Sequence, residues 1–564
     1  MSRNVNTICC RAVELLQLYG IHNVVLCPGN RNAPLITAVE RNKGLNGTVV
    51  CDERSAAFIA LGMAIQSGNP TAIICTSGTA LLNFAPAVAE AYYRNIPLIV
   101  VSADRPTDMI DSGFAQTIRQ PGALSNVVKY SVDIDSVHDS DRNARYSERL
   151  INQALIAATT GPCGPVHINI HIDNPADTEA PGIDCCAQKI ELVRPEIKLQ
   201  TCDARAIGKL LAPPRKVLIL AGFMAPNSIL NRAINRLAAI PNIAVIAEAM
   251  SNLHGSRIIY NGEAVIASLS NDKQQLLLPD IVITIGGTLV SGQLLKWLTN
   301  SGVEHWSVSE TDNIPDPFGC ISRCFAMSPA SFMPQLASAM QPYSNSDVNY
   351  GSEWKALSDK VLSATKKYSA NAPWSDFRAV HSAIKKLPSS FNVHASNGMS
   401  VRLLLSADAS HLHRVECNRG VSGIDGCTST AIGAAMVTDT PTLLITGDMS
   451  AQYDIGALAC AEIPASFRMM VLSNDGGNIF RVVASTRNLA ERERCFACEV
   501  NLPLRNLSEG YGFDYYEATD DNTFADAFAQ FISPAKRPAI LNIIVDGPTS
   551  AEVYANYLNH LKNL

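Results

Sequence analysis

The chain has 564 residues, 47% of them hydrophobic and 17% charged, with a formal net charge of −6. This excludes a disordered chain, and the scatter of Lys and Arg excludes the basic footprint that nucleic acid requires. Sixteen cysteines in so long a chain, several inside apolar runs (Cys27, Cys51, Cys75), read as reduced thiols that pack as small hydrophobes, not as a disulfide scaffold.

The first segment, "MSRNVNTICCRAVELLQLYG", predicts an amphipathic helix without the apolar core or cleavage site of a signal peptide. No later run approaches the roughly 18 apolar residues of a membrane span, so the cytoplasm is the expected location. Short apolar runs then alternate with helical patterns: "NVVLCPG", "TAIICTSG", "PLIVVSAD" and "VHINIHID", then "KVLILAG", "IAVIAE" and "DIVITIGG", then "TLLITGD", "RMMVLSND" and "AILNIIVDG". Strands joined by helical crossovers predict parallel sheets covered on both faces, an α/β chain of doubly wound domains. The polar stretch "NPADTEAPGIDCCAQ" (174–188) reads as a first linker, and "QPYSNSDVNYGS" (341–352) marks a second boundary. Three domains are expected, over 1–180, 190–345 and 352–564. Cys9-Cys10, Cys185-Cys186 and the lone C-x-x-C of Cys495 and Cys498 are read as structural thiols, since no second pair completes a metal or redox motif.

Residues 51–104 and 417–475 echo one another. Each runs from a Cys-led turn through a helix (Ala-Leu-Gly-Met-Ala against Ala-Ile-Gly-Ala-Ala), a Pro-Thr, a strand, a Gly turn, a second helix and a strand ending in Asp. First and third domains thus read as two copies of one unit, although doubly wound domains in general share this outline. The copies differ where the first has Glu53 against Arg419, and Thr79 against Asp448.

In such sheets ligands bind beyond the carboxyl ends of the strands. Asp448 and Asn474 both fall there, one β-α-β crossover apart. A carboxylate, an amide oxygen and the backbone carbonyl of Gly476 are hard donors, suited to Mg²⁺ carrying a diphosphate. An Asp capping the following helix, worth about 1 kcal/mol, is the competing reading of Asp448. A surface carboxylate opening a helix is the competing reading of Glu53.

"GDM" followed one crossover later by "NDGG" is similar to the diphosphate and metal signature of thiamine-diphosphate enzymes, whose duplicated pyrimidine and diphosphate domains match the echo. More closely, "CPGNRNAPL", "CDERSAAFIALGMA", "TSGTA", "SADRPTDMIDSGFAQTIRQ", "NRGVSGIDGCTSTAIG" and "SNDGGNIF" resemble the 2-succinyl-5-enolpyruvyl-6-hydroxy-3-cyclohexene-1-carboxylate synthase family of menaquinone biosynthesis. The resemblance implies thiamine diphosphate and Mg²⁺ (Mn²⁺ able to replace it), decarboxylation of 2-oxoglutarate, and addition of the succinyl carbanion equivalent to isochorismate. It places Glu53 on the aminopyrimidine ring, where a carboxylate in a dry pocket favours the imino tautomer. It places Arg31, Arg105, Gln116, Arg402 and Arg419 on substrate, with Arg402 on the distal carboxylate of 2-oxoglutarate and Arg31, Arg105 and Gln116 facing isochorismate. Ile424, Asp448, Met449, Ser450, Asn474, Gly476 and Ile479 fall to the cofactor, with Asp448, Asn474 and Gly476 on the metal. It also implies a homodimer or homotetramer. Arginines agree with substrates bringing four carboxylates into one cleft.

The chain departs from the family pattern at three places, four residues in all. Gly292 and Gln293 stand where a basic residue is usual, with Lys296 one helical turn on, Asn30 replaces a Ser before Arg31, and Gly398 replaces a Ser in "NGMSVR". Losing one charge-assisted hydrogen bond, roughly 1.5 to 3 kcal/mol, weakens a carboxylate contact about ten-fold or more. These changes leave room for a different acceptor, and a non-catalytic relative is the remaining alternative. The segment "ASTRNLAERERCFACEVNLPLRNLSEGYGF" reads as either a cover over the cleft or a plain surface helix. The middle domain carries Gly turns but no complete dinucleotide fingerprint.

Overall fold

The computed structural model describes residues 4–135, 141–176, 187–195, 197–311, 313–460 and 462–564. Most of the 174–188 stretch, with Cys185 and Cys186, lies outside the described residues. Seventeen named strands form three sheets, parallel in every pairing resolved in register. The first contains β1 (Asn23–Leu26), β2 (Asn46–Val49), β3 (Thr71–Cys75), β4 (Leu98–Asp104), β5 (Tyr130–Asp135) and β6 (Val166–His171). The second contains β7 (Val217–Ala221), β8 (Ile243–Ala247), β9 (Ile281–Ile285), β10 (Glu304–Val308) and β11 (Ile321–Phe325). The third contains β12 (Asn392–Ala395), β13 (Arg414–Cys417), β14 (Thr442–Gly447), β15 (Phe467–Ser473), β16 (Asp514–Ala518) and β17 (Ala539–Ile544).

The first sheet runs in the order β2-β1-β3-β4-β6-β5 and the third in the order β13-β12-β14-β15-β17-β16. Strand for strand these are the same topology, so the echo in the sequence is an echo in the fold. The middle sheet has its own order, β11-β10-β9-β7-β8. The strands are apolar because both faces are covered: every residue of β3, β4, β6 and β7 is buried.

Contacts divide the chain into two compact units. The first comprises Met1–Arg194 with Gly420–Asp439 and Tyr453–Phe467. In it helix Glu53–Ser67 packs against helix Cys427–Met436 along small residues. A Cβ built on Gly62 would lie 2.0 Å from the Thr430 carbonyl oxygen, and one on Gly433 2.0 Å from that of Ile59. These two glycines are therefore required by the close approach of the backbones.

The second unit comprises Pro195–Arg419, Thr440–Gln452 and Arg468–Leu564. It contains the middle sheet and the third, whose apolar faces share a core including Leu218, Val282, Trp354, Phe377, Leu443 and Phe528. Among the described residues no helix is long and apolar enough to cross a membrane.

Candidate cofactor and metal site

In the first unit, the turns leaving β1, β3 and β4 converge. Arg31 follows β1, is 8% exposed, and donates through Nη1 to the carbonyls of Ile172 and Asp173, 2.8 Å each. Burial, then the nearby charge of Arg105, lowers its pKa from the usual value. Arg105 follows β4, and its buried Nε has no hydrogen-bond partner. Gln116 is exposed with φ +56°, and its backbone lies 3.6 Å from a Cβ built on Gly78, in the turn after β3. Arg31, Arg105 and Gln116 thus border one strand-end region.

Residues that sequence reasoning passed over hold this region. Gln120, fully buried, accepts the Gly78 N–H at 2.8 Å and donates to Asn169 Oδ1 at 2.8 Å. Asn169 donates to Asp104 and Asp133 at 2.9 and 2.8 Å. His171 pairs with Asp133 at 3.0 Å and bonds the Arg105 carbonyl. Burial opposes the imidazolium, but the bonds to Asp133 and Arg105 and the charges of Asp133 and Asp104 prevail, lifting its pKa to about 9.

Glu53 opens its helix, half-buried, after Asp52, whose carboxylate caps the N–H groups of Arg54 and Ser55. The Cys27 thiol, at the end of β1, is pushed up by burial and then by the Glu53 charge. Ile424 is half-buried in the loop before helix Cys427–Met436. That loop is anchored by buried Glu90, which accepts the N–H groups of Gly420 and Val421 at 2.8 and 2.7 Å.

In the second unit, β14 and β15 are neighbours, so Asp448 and Asn474, each the next residue after its strand, lie side by side. Asp448 is 2% exposed. Its Oδ2 accepts the N–H groups of Asn474 (3.1 Å) and Gly476 (3.0 Å), and its Oδ1 that of Met449 (2.7 Å). Burial raises its pKa to about 6 against these stabilising N–H bonds. Asn474 directs Nδ2 to Asp376 Oδ2 at 3.0 Å, while its buried Oδ1 has no partner. Gly476 has φ +104°, a conformation that disfavours any Cβ. Its carbonyl accepts the Asn478 N–H at 2.8 Å. Met449 is half-buried, with its Cε 3.2 Å from a Cβ built on Gly477, Ser450 is buried, and Ile479 opens the next helical turn.

These residues fit a hard cation. The partnerless Asn474 Oδ1 needs a positive neighbour, and the Asp448 carboxylate beside it is held by N–H donors that leave Oδ1 with a single bond. Among the described residues no group of three His, Cys, Asp or Glu side chains is arranged to hold a metal. The mixed set of carboxylate, amide and carbonyl is therefore the candidate, completed by diphosphate oxygens.

Arg402 and Arg419 are tied to the same turn after β12. Arg402 Nη1 donates to the Gly398 carbonyl at 2.6 Å and Arg419 Nη1 to Asn397 Oδ1 at 3.0 Å. Gly398 has φ +89°, so the expected Ser would be strained there. Arg402 lines a pocket with Gln293, Glu263, Ile479 and Tyr554. Lys296 is exposed and is not among the pocket's lining residues, so it does not replace the missing basic residue. Buried Glu248 accepts the N–H groups of Val290 and Ser291 and fixes the turn that presents Gln293. The segment after Ile479–Val482 is tied to the Asn474 loop: Gly477 N–H donates to the Ala497 carbonyl at 2.7 Å. Cys495 and Cys498 are exposed, unbridged thiols.

Residues 11–123 match the family model described as thiamine pyrophosphate enzyme, N-terminal TPP binding domain. A protein of Porphyromonas gingivalis named 2-succinyl-5-enolpyruvyl-6-hydroxy-3-cyclohexene-1-carboxylate synthase is 34% identical, covering 97% of this chain and 96% of the relative. The chain belongs to this synthase family. Proteins of the same name from Flavobacterium psychrophilum (34% identical, 97% and 98% covered) and Bacteroides fragilis (32%, 98% and 98%) are similar over the same extent. The matched domain and the family membership make thiamine diphosphate the cofactor of this fold.

Proposed function

We propose that the protein is a thiamine-diphosphate- and Mg²⁺-dependent 2-succinyl-5-enolpyruvyl-6-hydroxy-3-cyclohexene-1-carboxylate synthase of menaquinone biosynthesis. It releases CO₂ from 2-oxoglutarate and joins the remaining succinyl unit to isochorismate. The observation that carries this reading is the buried Asp448 carboxylate beside a partnerless Asn474 Oδ1, in a chain similar along 97% of its length to relatives of that name. When bound, thiamine diphosphate supplies the electron sink that decarboxylation of a 2-oxo acid needs.

The chain's own residues orient, neutralise and move a proton. Asp448, Asn474 and the Gly476 carbonyl hold Mg²⁺, for which Mn²⁺ is an acceptable substitute at hard oxygen donors. Met449, Ser450 and Ile479 seat the cofactor, and Ile424 supplies an apolar wedge beneath it. Glu53 holds the proton at the aminopyrimidine nitrogen. Arg402, with Arg419 on the same turn, binds 2-oxoglutarate, while Arg31, Arg105 and Gln116 bind isochorismate through charge-assisted hydrogen bonds. The enzyme works in the cytoplasm as a homodimer or homotetramer.

A second reading, a thiamine-diphosphate-dependent decarboxylase or carboligase with another acceptor, is favoured by one observation: the Arg402 pocket carries Gln293 where a basic residue is usual, with Glu263 also lining it. Incubation with thiamine diphosphate, Mg²⁺, 2-oxoglutarate and isochorismate separates the two. Matched CO₂ release and isochorismate loss is the expected result; CO₂ release without isochorismate consumption selects the second reading.

A further inference from the structure

We infer that Asp376 is the positioning residue that turns the Asn474 amide oxygen toward the metal. The inference rests on Asp448 and Asn474 being metal ligands and concerns what makes Asn474 competent as one. An Asn amide has two nearly isosteric orientations, one presenting an acceptor and the other a donor, and its hydrogen-bond partners decide between them. A cation tolerates only the first.

Asp376 lies 98 residues before Asn474 in the chain, at the start of helix Asp376–Lys386, and its side chain is fully buried. Its Oδ2 accepts Nδ2 of Asn474 and Nδ2 of Asn478, both at 3.0 Å. Oδ2 is the acceptor in both bonds, so the nitrogen of each amide must face it. The Asn474 oxygen is thereby directed away, and it is this atom that is buried without a partner. The rest of Asn474 is fixed as well: its carbonyl accepts Arg481 Nη1 at 2.9 Å and its N–H donates to Asp448 at 3.1 Å. Asp376 is itself anchored, its N–H donating to Ser550 Oγ at 3.3 Å and its helix capped by Ser375. One oxygen is thus left for a cation on a residue whose backbone N–H, carbonyl and amide nitrogen each have a partner, the arrangement by which an outer carboxylate orients a metal ligand.

The test is the Mg²⁺ concentration at half-maximal thiamine diphosphate binding, measured by calorimetry on the full chain. Asn474→Asp sets a second carboxylate against Asp376 and is expected to raise that midpoint about ten-fold or more. Adding Asp376→Asn restores complementarity: the new amide nitrogen, in the place of Oδ2, donates one N–H to the carboxylate at position 474 and the other to Asn478, whose amide turns its oxygen toward it. The double variant is expected within about three-fold of the parent protein. Both changes are isosteric, so folding is retained. Asp376→Leu, which removes the acceptor, is expected to raise the midpoint about ten-fold. If Asp376→Asn leaves the Asn474→Asp midpoint unmoved, or folded Asp376→Leu binds Mg²⁺ like the parent, the inference is overturned. Thiamine diphosphate binding that ignores Mg²⁺ in the parent protein overturns the metal reading first, a result distinct from either.

Discussion

The Gly476 N–H reaches Asp448 Oδ2 across 3.0 Å, joining the ends of two neighbouring strands through one buried carboxylate. The same oxygen takes the Asn474 N–H. Asp448 therefore shapes the loop as well as offering a ligand. Asp448→Ala is expected to abolish Mg²⁺-dependent thiamine diphosphate binding and, by orphaning two buried N–H groups, to cost about 2 kcal/mol of stability even without cofactor. Calorimetric titration and denaturant unfolding check the two effects; unchanged affinity would remove the metal assignment.

Glu53→Gln retains the shape of the side chain and the Asp52 cap of its helix. It is expected to bind thiamine diphosphate normally while kcat falls about a hundred-fold or more, as for loss of a general acid-base group. Full turnover would refute the proton-holding role.

At the packed helices of the first unit, Gly62→Ala puts a methyl 2.0 Å from the Thr430 carbonyl oxygen and is expected to destabilise by about 2 kcal/mol. Gly292→Ala, where an added Cβ meets nothing within 4 Å, is the matched control and is expected to unfold at the parent temperature. Equal unfolding temperatures for both variants would contradict the close approach.

His171 gives a pH signature with a definite sign. Its pKa rises from about 6.5 in the unfolded chain to about 9 in the fold. Its contribution is therefore complete below the unfolded value and disappears as pH climbs through the folded one. The unfolding temperature of the parent protein should fall over that interval more than that of His171→Gln. Parallel pH profiles would show that the Asp133 pair does not hold the imidazolium.

What the sequence revealed, and what it hid, follows from how local each signal is. Asp448 and Asn474 were legible because a strand, a Gly turn and one crossover are all contiguous, and doubly wound topology then brings the strand ends together. The likeness of the first and third sheets was legible for the same reason, although only four and three of their six strands each stood out as apolar runs. Asp376, Glu90, Gln120 and Glu248 were not. Each is a polar residue to which the sequence assigned no role, because its partners are a turn or strand end tens to hundreds of positions away and only tertiary packing gives it meaning. Lys296 was left open by the sequence, since one helical turn is too coarse a ruler in helix Gly292–Leu298, where Gln293 lines the pocket and Lys296 does not.

Arg481 donates to the carbonyls of Asn474 and Asp475 and pairs with Glu493 at 2.8 Å. With the Gly477 to Ala497 bond, it makes the segment after Val482 and the loop that presents the metal ligands a single mechanical element. Lifting that segment costs the loop two of its fastenings at once. On the proposed metal reading, access to this end of the site and grip on the cation are opposed, and a protease that cuts near Glu493 is expected to cut more slowly when Mg²⁺ and thiamine diphosphate are bound.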